Sequence, residues 1–442
     1  MFYICSSVLV LIFLLDINML KTFDLINKTS SSNYGIFIFL GVSATFLILS
    51  SIILKYNWNY INQYIKKSNR IYTIFKITLL TQIFLFSLLL LLNFQVIILH
   101  YYSTYIIMIS LLISYSLSFF ILFFLTYKFL HWYNIKKNYL LLFYSLAFGT
   151  IFLESIFKLI FTEIMMMAVP EIIFPETIGS SIFIVSNSPQ AYLNNIFPIL
   201  SILSFAFSWI ASSIMLKEYS NKVGGTIKYW VIVSIPLIFY LSQFFVQFNS
   251  QIIFQLTSNI TSFSITSLSI TLTIIFILSK LIGGLLFGIP FWVIAKTIHN
   301  SAIKTSMTIA GFGFIFLFLT NQANGIIVSP YPPFGITTSL FFGISSFLVM
   351  IGFYCSALYM SEHRDIRRII KNDIRKYDLL TQMSNKFIED ETINYINHFK
   401  KSSKSELFVN YPGLFLNDED IKQYVKNVIN EISKKDNNNK KS

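Results

Sequence analysis

Long apolar stretches alternate with short polar segments along the chain, from the N-terminus to about residue 360. Most of them reach the roughly 20 helical residues that cross a hydrocarbon layer of about 30 Å. Because continuous runs such as 79–92 lack the alternation of barrel strands, the pattern predicts an all-α membrane bundle. The ten predicted transmembrane helices are 2–20, 35–54, 77–98, 104–127, 138–161, 196–216, 229–248, 266–293, 305–323 and 335–360.

The composition agrees with a membrane protein and disagrees with an ordinary soluble domain. Of the 442 residues, 55% are hydrophobic and 12% are charged, whereas soluble proteins average about 25% charged residues. The mean hydropathy is +0.66, so a lipid bilayer is the predicted environment. Cys5 and Cys355 lie in apolar stretches near the predicted cytoplasmic side, where a disulfide is not expected.

Lys and Arg residues gather in every second gap between the apolar stretches. This places 29 of the 33 on one side of the predicted bundle, with 16 of them after residue 360. Because cytoplasmic loops carry the excess of cations, both termini are predicted to be cytoplasmic, in a multi-pass protein of the plasma membrane. The net charge of +13 then reflects this topology and does not indicate nucleic-acid binding. The stretch 2–20 is either the first membrane helix or a cleaved signal, and the missing basic n-region favours the helix.

The composition changes abruptly after Met360. The domain prediction is a transmembrane helical domain over 1–360, a cytosolic amphipathic helical tail over 361–435 and a disordered end over 436–442. Four cations near the start of the tail are candidate contacts to anionic lipid headgroups or to a protein partner. They are Arg364, Arg367, Arg368 and Lys371.

Five polar residues within the predicted helices form a candidate intramembrane site. Glu154 and Lys158 are one helical turn apart, so they mark either a pathway or a local pair that neutralises itself while Lys158 extends towards the interface. Lys280 lies deep in its apolar stretch, so it either faces protein or water or is neutral. Gln243 and Gln247 lie four residues apart on a ridge that lines either a polar vestibule or a solvated outer turn.

Catalytic motifs are absent from the sequence. It contains no HExxH, no Gly-x-Ser-x-Gly and no phosphate-binding glycine loop, and its histidines lack metal-ligand spacing. His363-Arg364-Asp365 imitates a kinase triplet, but the Asn that such a motif requires is replaced by Ile370. The prediction is therefore a protein without enzymatic activity, cofactor or metal.

The last two predicted membrane helices and the start of the tail carry four short motifs. These are Thr320-Asn321-Gln322-Ala323, Tyr331-Pro332-Pro333-Phe334-Gly335, Gly343-Ile344-Ser345-Ser346 and Ser356-Ala357. With these motifs the segment resembles an uncharacterised family of multi-spanning membrane proteins from ammonia-oxidising archaea. The resemblance implies an archaeal plasma membrane. The family has no established activity, so no functional residue carries over.

Two functions remain open from the sequence. The favoured one is a non-enzymatic receptor, sensor or assembly scaffold whose tail binds a cytosolic protein or a second copy of the chain. The alternative is a secondary transporter or channel that uses a polar cavity around Glu154, Lys280 and Gln243. Against the alternative, the two halves of the chain show no matched helices broken by Gly or Pro.

Overall fold

The computed structural model describes most of the apolar part of the chain, in ranges separated by gaps. Within these ranges the chain folds as helices and turns, without a strand. Seven of the helices are long and apolar enough to cross a membrane. The described ranges are 2–26, 33–64, 69–100, 102–136, 139–168, 189–217, 225–248, 282–296, 298, 300–321 and 332–362.

Each of the ten predicted stretches overlaps one of the helices found in these ranges, and the last stretch overlaps two. The part of the eighth stretch before residue 282 lies outside the described residues. How many helices cross a bilayer, and in which orientation, stays a prediction. In chain order the helices are α1 (Phe2–Ile26), α2 (Asn33–Tyr64), α3 (Asn69–Ile98), α4 (Thr104–Lys136), α5 (Tyr139–Ala168), α6 (Pro189–Lys217), α7 (Thr226–Phe248), α8 (Ile282–Lys296), α9 (Ser301–Thr320), α10 (Ile336–Leu340) and α11 (Phe342–Glu362).

Several helices extend beyond the apolar stretches that predicted them. Helix α2 continues to Tyr64, well past its predicted end at residue 54. In this extension the Asn57 amide donates to the Ile53 carbonyl at 2.9 Å, and the Tyr60 hydroxyl donates to the Ala302 carbonyl at 3.1 Å. Backbone hydrogen bonds within a helix form with polar as well as apolar side chains. Helix α2 can therefore continue past its apolar residues, and Tyr60 joins this extension to α9.

Helices α9 and α11 form the centre of the bundle. In α9, 89% of the most apolar 18-residue segment is buried, compared with 28% of the corresponding segment in α3. Helix α11 is buried along almost its whole length up to Cys355. Consecutive helices from α1 to α6 pack against one another, most extensively α4 with α5 and α5 with α6. The peripheral helices turn large apolar side chains outwards, including Phe37, Leu80, Phe94, Phe120 and Ile227.

Glycines allow the backbones of α8, α9 and α11 to approach closely. A Cβ on Gly288 would lie 2.8 Å from the Gly311 carbonyl oxygen, and a Cβ on Gly313 would lie 2.8 Å from the Val349 nitrogen. Gly284 and Gly288 form a Gly-x-x-x-Gly pattern on α8, which is typical of helix contacts in membranes. The adjacent residues Gly283 and Gly284 both lie inside α8.

An aromatic cluster packs between α4, α5, α8, α9 and α11. Phe314 of α9 packs against Phe291 of α8 at 5.0 Å between ring centroids and against Phe148 of α5 at 5.7 Å. Phe353 of α11 packs against Phe129 of α4 at 5.0 Å. Such pairs add about 0.5–1.5 kcal/mol each to the stabilisation from burial alone.

Asn300 caps the N-terminus of α9, because its side-chain oxygen accepts hydrogen bonds from Ala302 N at 3.0 Å and Ile303 N at 3.3 Å. Asn300→Ala is expected to lower the free energy of unfolding by about 1 kcal/mol, since both amides lose their acceptor. Denaturant titration in detergent micelles measures this change. Asn300→Asp and Asn300→Ser retain an acceptor oxygen and should keep most of the stability. Equal losses in all three variants would contradict the capping role.

The chain divides into two compact units, Met1–Cys355 and Ser356–Ser442. The first unit contains the helices α1 to α10 and the larger part of α11. In the second unit the described residues end at Glu362. The predicted tail helices and the predicted disordered end therefore lie outside the described residues, and the domain boundary near residue 360 stays a prediction.

Candidate functional site

Glu154 and Lys158 of α5 form an ion pair in the interior, and Asn321 at the end of α9 completes it. Lys158 Nζ lies 3.2 Å from Glu154 Oε1. Asn321 Nδ2 donates to Glu154 Oε2 at 2.7 Å, and Lys158 Nζ donates to Asn321 Oδ1 at 2.8 Å. The exposed fractions are 1% for Glu154, 3% for Lys158 and 2% for Asn321. These three residues are called the charge cluster below.

The local sequence explains this arrangement. A spacing of four residues places Glu154 and Lys158 on the same face of α5. Helix α9 ends at Thr320, and Asn321 follows as its C-terminal cap. The last carbonyl groups of a helix lack an internal partner and carry partial negative charge. Lys158 Nζ donates to the Asn321 main-chain carbonyl. The ammonium group therefore binds both the C-terminal end of α9 and the Glu154 carboxylate of α5.

Aromatic residues from three further helices surround the charge cluster. Lys158 Nζ lies 5.9 Å from the centroid of the Phe342 ring of α11, a favourable cation–π distance. The Phe342 ring in turn contacts Tyr115 of α4, with 5.7 Å between centroids. The Glu154 carboxylate also acts electrostatically on the phenol groups of Tyr115 and of Tyr240 in α7. Side chains of α5, α11 and the end of α9 therefore meet at the charge cluster, and Tyr115 of α4 packs behind the Phe342 ring.

A second buried polar cluster lies around Asp16 of α1, which is 0% exposed. One carboxylate oxygen accepts from Gly335 N at 2.8 Å. The other accepts from Thr338 N at 3.0 Å and Thr338 Oγ1 at 2.8 Å, and also from the Thr337 hydroxyl. Four donors from the start of α10 thus surround one carboxylate. Asp16, Gly335, Thr337 and Thr338 are called the Asp16 cluster below.

Asp16 replaces a cap that the sequence of α10 does not provide. The residue at the capping position is Gly335, which has a positive φ of 87° and makes no side-chain cap. A positive φ favours glycine, and glycine has no side chain to accept from the first amides of the helix. The carboxylate of α1 takes over this function from 319 residues away in the sequence.

The other end of α10 is also held by another helix. Helices α10 and α11 are separated by Phe341, whose backbone remains in the right-handed helical region. At this interruption the Ser114 hydroxyl of α4 donates to the Ser339 carbonyl at 2.8 Å. Polar groups on α1 and α4 therefore satisfy the backbone at both ends of this single helical turn.

The interruption lies between the two polar clusters. Phe341 packs against Phe13 of α1 at 5.2 Å between centroids, less than one turn from Asp16. The next residue, Phe342, contacts Tyr115 and lies near the Lys158 ammonium. The two adjacent rings thus connect the Asp16 cluster to the charge cluster through contiguous packing.

The structure brings together part of the predicted intramembrane site. Glu154 and Lys158 form the expected pair, but Lys158 turns inwards to Asn321 and does not extend towards an interface. Gln243 and Gln247 belong to α7, and their side chains lie outside the described part of the chain. Lys280 also lies outside it, as do the four tail cations Arg364, Arg367, Arg368 and Lys371.

Sequence reasoning missed two of the important polar groups. Asp16 is the sole Asp, Glu, Lys or Arg residue in the predicted stretch 2–20, and a charged residue in an apolar helix was a usable signal. Asn321 follows the apolar residues of α9, a position that is typical of the membrane interface. Its contact with Lys158 joins residues 163 positions apart, and no local pattern indicates such a pairing.

No family model matches the chain, and comparisons with curated proteins and with solved structures give no match either. The resemblance to the archaeal membrane family therefore stays a prediction. Among the described residues, no group of three or more His, Cys, Asp or Glu side chains is placed to hold a metal ion.

Proposed function

We propose that this chain is an integral membrane protein that moves an ion or a small solute, as a secondary transporter or channel, through the charge cluster. The observation that carries the proposal is the buried contact of Glu154, Lys158 and Asn321 where α5 and the end of α9 meet beside Phe342 of α11. Ionisable groups within membrane helices are costly and rare, and they commonly mark ion, proton or solute pathways.

The outer surface of the bundle supports a lipid environment. Peripheral helices expose large apolar side chains along their length, for example Phe37 at 73% and Leu80 at 71%. Soluble proteins rarely expose contiguous apolar surfaces of this kind. The buried polar groups lie on the inside, and each buried charged side chain in the described ranges has a partner, as expected of a protein with lipid around it.

The chemistry of the charge cluster suits a pathway that opens and closes. The pair is neutral while Glu154 and Lys158 touch, so the closed state is compatible with an apolar interior. Separation of α5 from α9 would release a carboxylate, an ammonium group and an amide together. These groups can then replace the hydration of a passing ion or polar solute.

Accessibility of the charge cluster to water tests the proposal. Cys5→Ser and Cys355→Ser first remove the two native thiols. In this background Ser345→Cys places a single thiol next to the charge cluster, because the Ser345 hydroxyl lies 3.2 Å from the hydroxyl of Thr320, the residue before Asn321. The matched control is Ala147→Cys, which is also 0% exposed but lies next to Phe148 of the aromatic cluster. In proteoliposomes, a membrane-impermeant thiol reagent should label position 345 about tenfold faster than position 147. The reagent reaches position 345 while the pathway is open, and a minor conformation of this kind is commonly populated at about 0.1–10%.

Equal protection of both thiols in folded protein would contradict the proposal and make the charge cluster a structural element. Labelling of position 345 from one side alone would identify the side to which the cluster opens.

The receptor or scaffold hypothesis depends on the tail. The predicted amphipathic helices and the candidate cations of the tail belong to residues 363–442, outside the described residues. The predicted binding of a protein partner or a second copy would involve the same residues. That hypothesis, the plasma membrane location and the cytoplasmic C-terminus stay predictions.

A further inference from the structure

We propose that Asp16 is a positioning residue that holds α10 in place and thereby controls access to the charge cluster. The inference rests on the proposed function, because it assigns the gate of the same site. Four hydrogen bonds join Asp16 of α1 to the start of α10. The rings of Phe341 and Phe342 follow α10 directly in the chain.

Helix α10 depends on Asp16 more than a longer helix would. It has five residues, and a single turn forms few internal hydrogen bonds for the residues that it orders. The amides of Gly335 and Thr338 have Asp16 as their acceptor. Without the carboxylate, these buried amides and the Thr337 hydroxyl lose their acceptor. Because an unsatisfied buried donor is costly, a conformation of α10 in which these groups reach water becomes strongly favoured.

Movement of α10 would be transmitted directly to the charge cluster. Phe341 and Phe342 immediately follow α10, and Phe342 covers the Lys158 ammonium. The chain before α10 turns at Pro332–Gly335, where Phe334 N donates to the Pro332 carbonyl at 2.8 Å. A turn on one side and the interruption at Phe341 on the other allow α10 to move while α11 remains packed.

Hydrogen–deuterium exchange of the full-length protein in nanodiscs tests the inference. Asp16→Asn keeps the size of the side chain but removes its charge and one acceptor oxygen. We expect amide exchange in residues 335–341 to accelerate about tenfold, equivalent to about 1.4 kcal/mol. Exchange in α9, over residues 301–320, should stay unchanged. Ser50→Ala is the matched control, because this buried hydroxyl bonds to carbonyls of its own helix.

Labelling of Ser345→Cys in the same Asp16→Asn background provides the second readout. We expect it to accelerate together with exchange in α10. Unchanged exchange in α10 would overturn the inference, and so would equal acceleration in all helices, because a general loss of stability has that effect. Faster exchange in α10 without faster labelling would overturn the link to the charge cluster.

Thr338→Val and Thr338→Ser offer a milder comparison if Asp16→Asn fails to fold. Valine removes the hydroxyl that donates to Asp16, whereas serine retains it. The inference requires faster exchange in α10 for valine and recovery for serine, and equal behaviour would contradict it. The proposed function fails independently, if Ser345→Cys in otherwise parental protein is labelled no faster than Ala147→Cys.

Discussion

Glu154→Gln is expected to destabilise the protein strongly, because the buried ammonium group of Lys158 loses its counter-charge. Removal of one partner of a buried ion pair costs about 3–5 kcal/mol. At 3% exposure, Lys158 has little access to water that would offset the loss. The measurement is the free energy of unfolding in detergent micelles, from a denaturant titration of the parent and the variant.

The double variant Glu154→Gln/Lys158→Met separates charge from packing. Methionine approximates the stem of lysine, and the double change leaves a site without charge. Replacement of a buried pair by apolar groups is often neutral or stabilising, so the double variant should regain most of the lost stability. A double variant as unstable as the sum of the two single variants would contradict electrostatic coupling within the pair.

The double variant also separates structure from function. If the charge cluster forms part of a pathway, a stable double variant should still fold but should change the labelling of Ser345→Cys. If the pair serves stability alone, the stable double variant should label like the parent.

Gly352→Ala is expected to disrupt the contact between α9 and α11. A Cβ at this position would overlap the Cβ of Ala310 and approach the Ala310 backbone nitrogen to 2.7 Å. Neither atom belongs to the flexible end of a side chain, so the helices must separate. Overpacking of this kind costs about 1–3 kcal/mol, measurable as a lower free energy of unfolding.

Gly41→Ala is the matched control for this prediction. Gly41 also lies inside a helix, and a Cβ there would meet no atom within 4 Å. Alanine is favoured over glycine in a helix interior by about 1 kcal/mol, so this change should stabilise the protein. Changes of the same sign at Gly41 and Gly352 would show that close helix packing does not limit stability.

Length and apolarity were sufficient to locate the helices, because both are local properties of the chain. The stretch predicted for α4 begins at residue 104, as the helix does. Local patterns failed where a distant partner decides the structure. The interruption at Phe341 has no Pro or Gly at that residue, and the Ser114 hydroxyl that supports it comes from α4.

The candidate site divides in the same way. The spacing of Glu154 and Lys158 was sufficient to predict their pairing, since both belong to one helix. Their contact with Asn321 could not be predicted, because it depends on the packing of α9 against α5. The same limit applies to Asp16, whose partners become neighbours when α1 packs against α10.

The central position of α9 and α11 has a consequence for biosynthesis. Asp16 emerges from the ribosome 319 residues before Gly335, and Lys158 emerges 163 residues before Asn321. Asp16 therefore waits for its donors, and the Glu154–Lys158 pair waits for Asn321, until the last third of the chain is made. A chain arrested before α9 contains α1 to α8 but no centre, so quality-control machinery would meet the Asp16 carboxylate without its partners and the Glu154–Lys158 pair without Asn321.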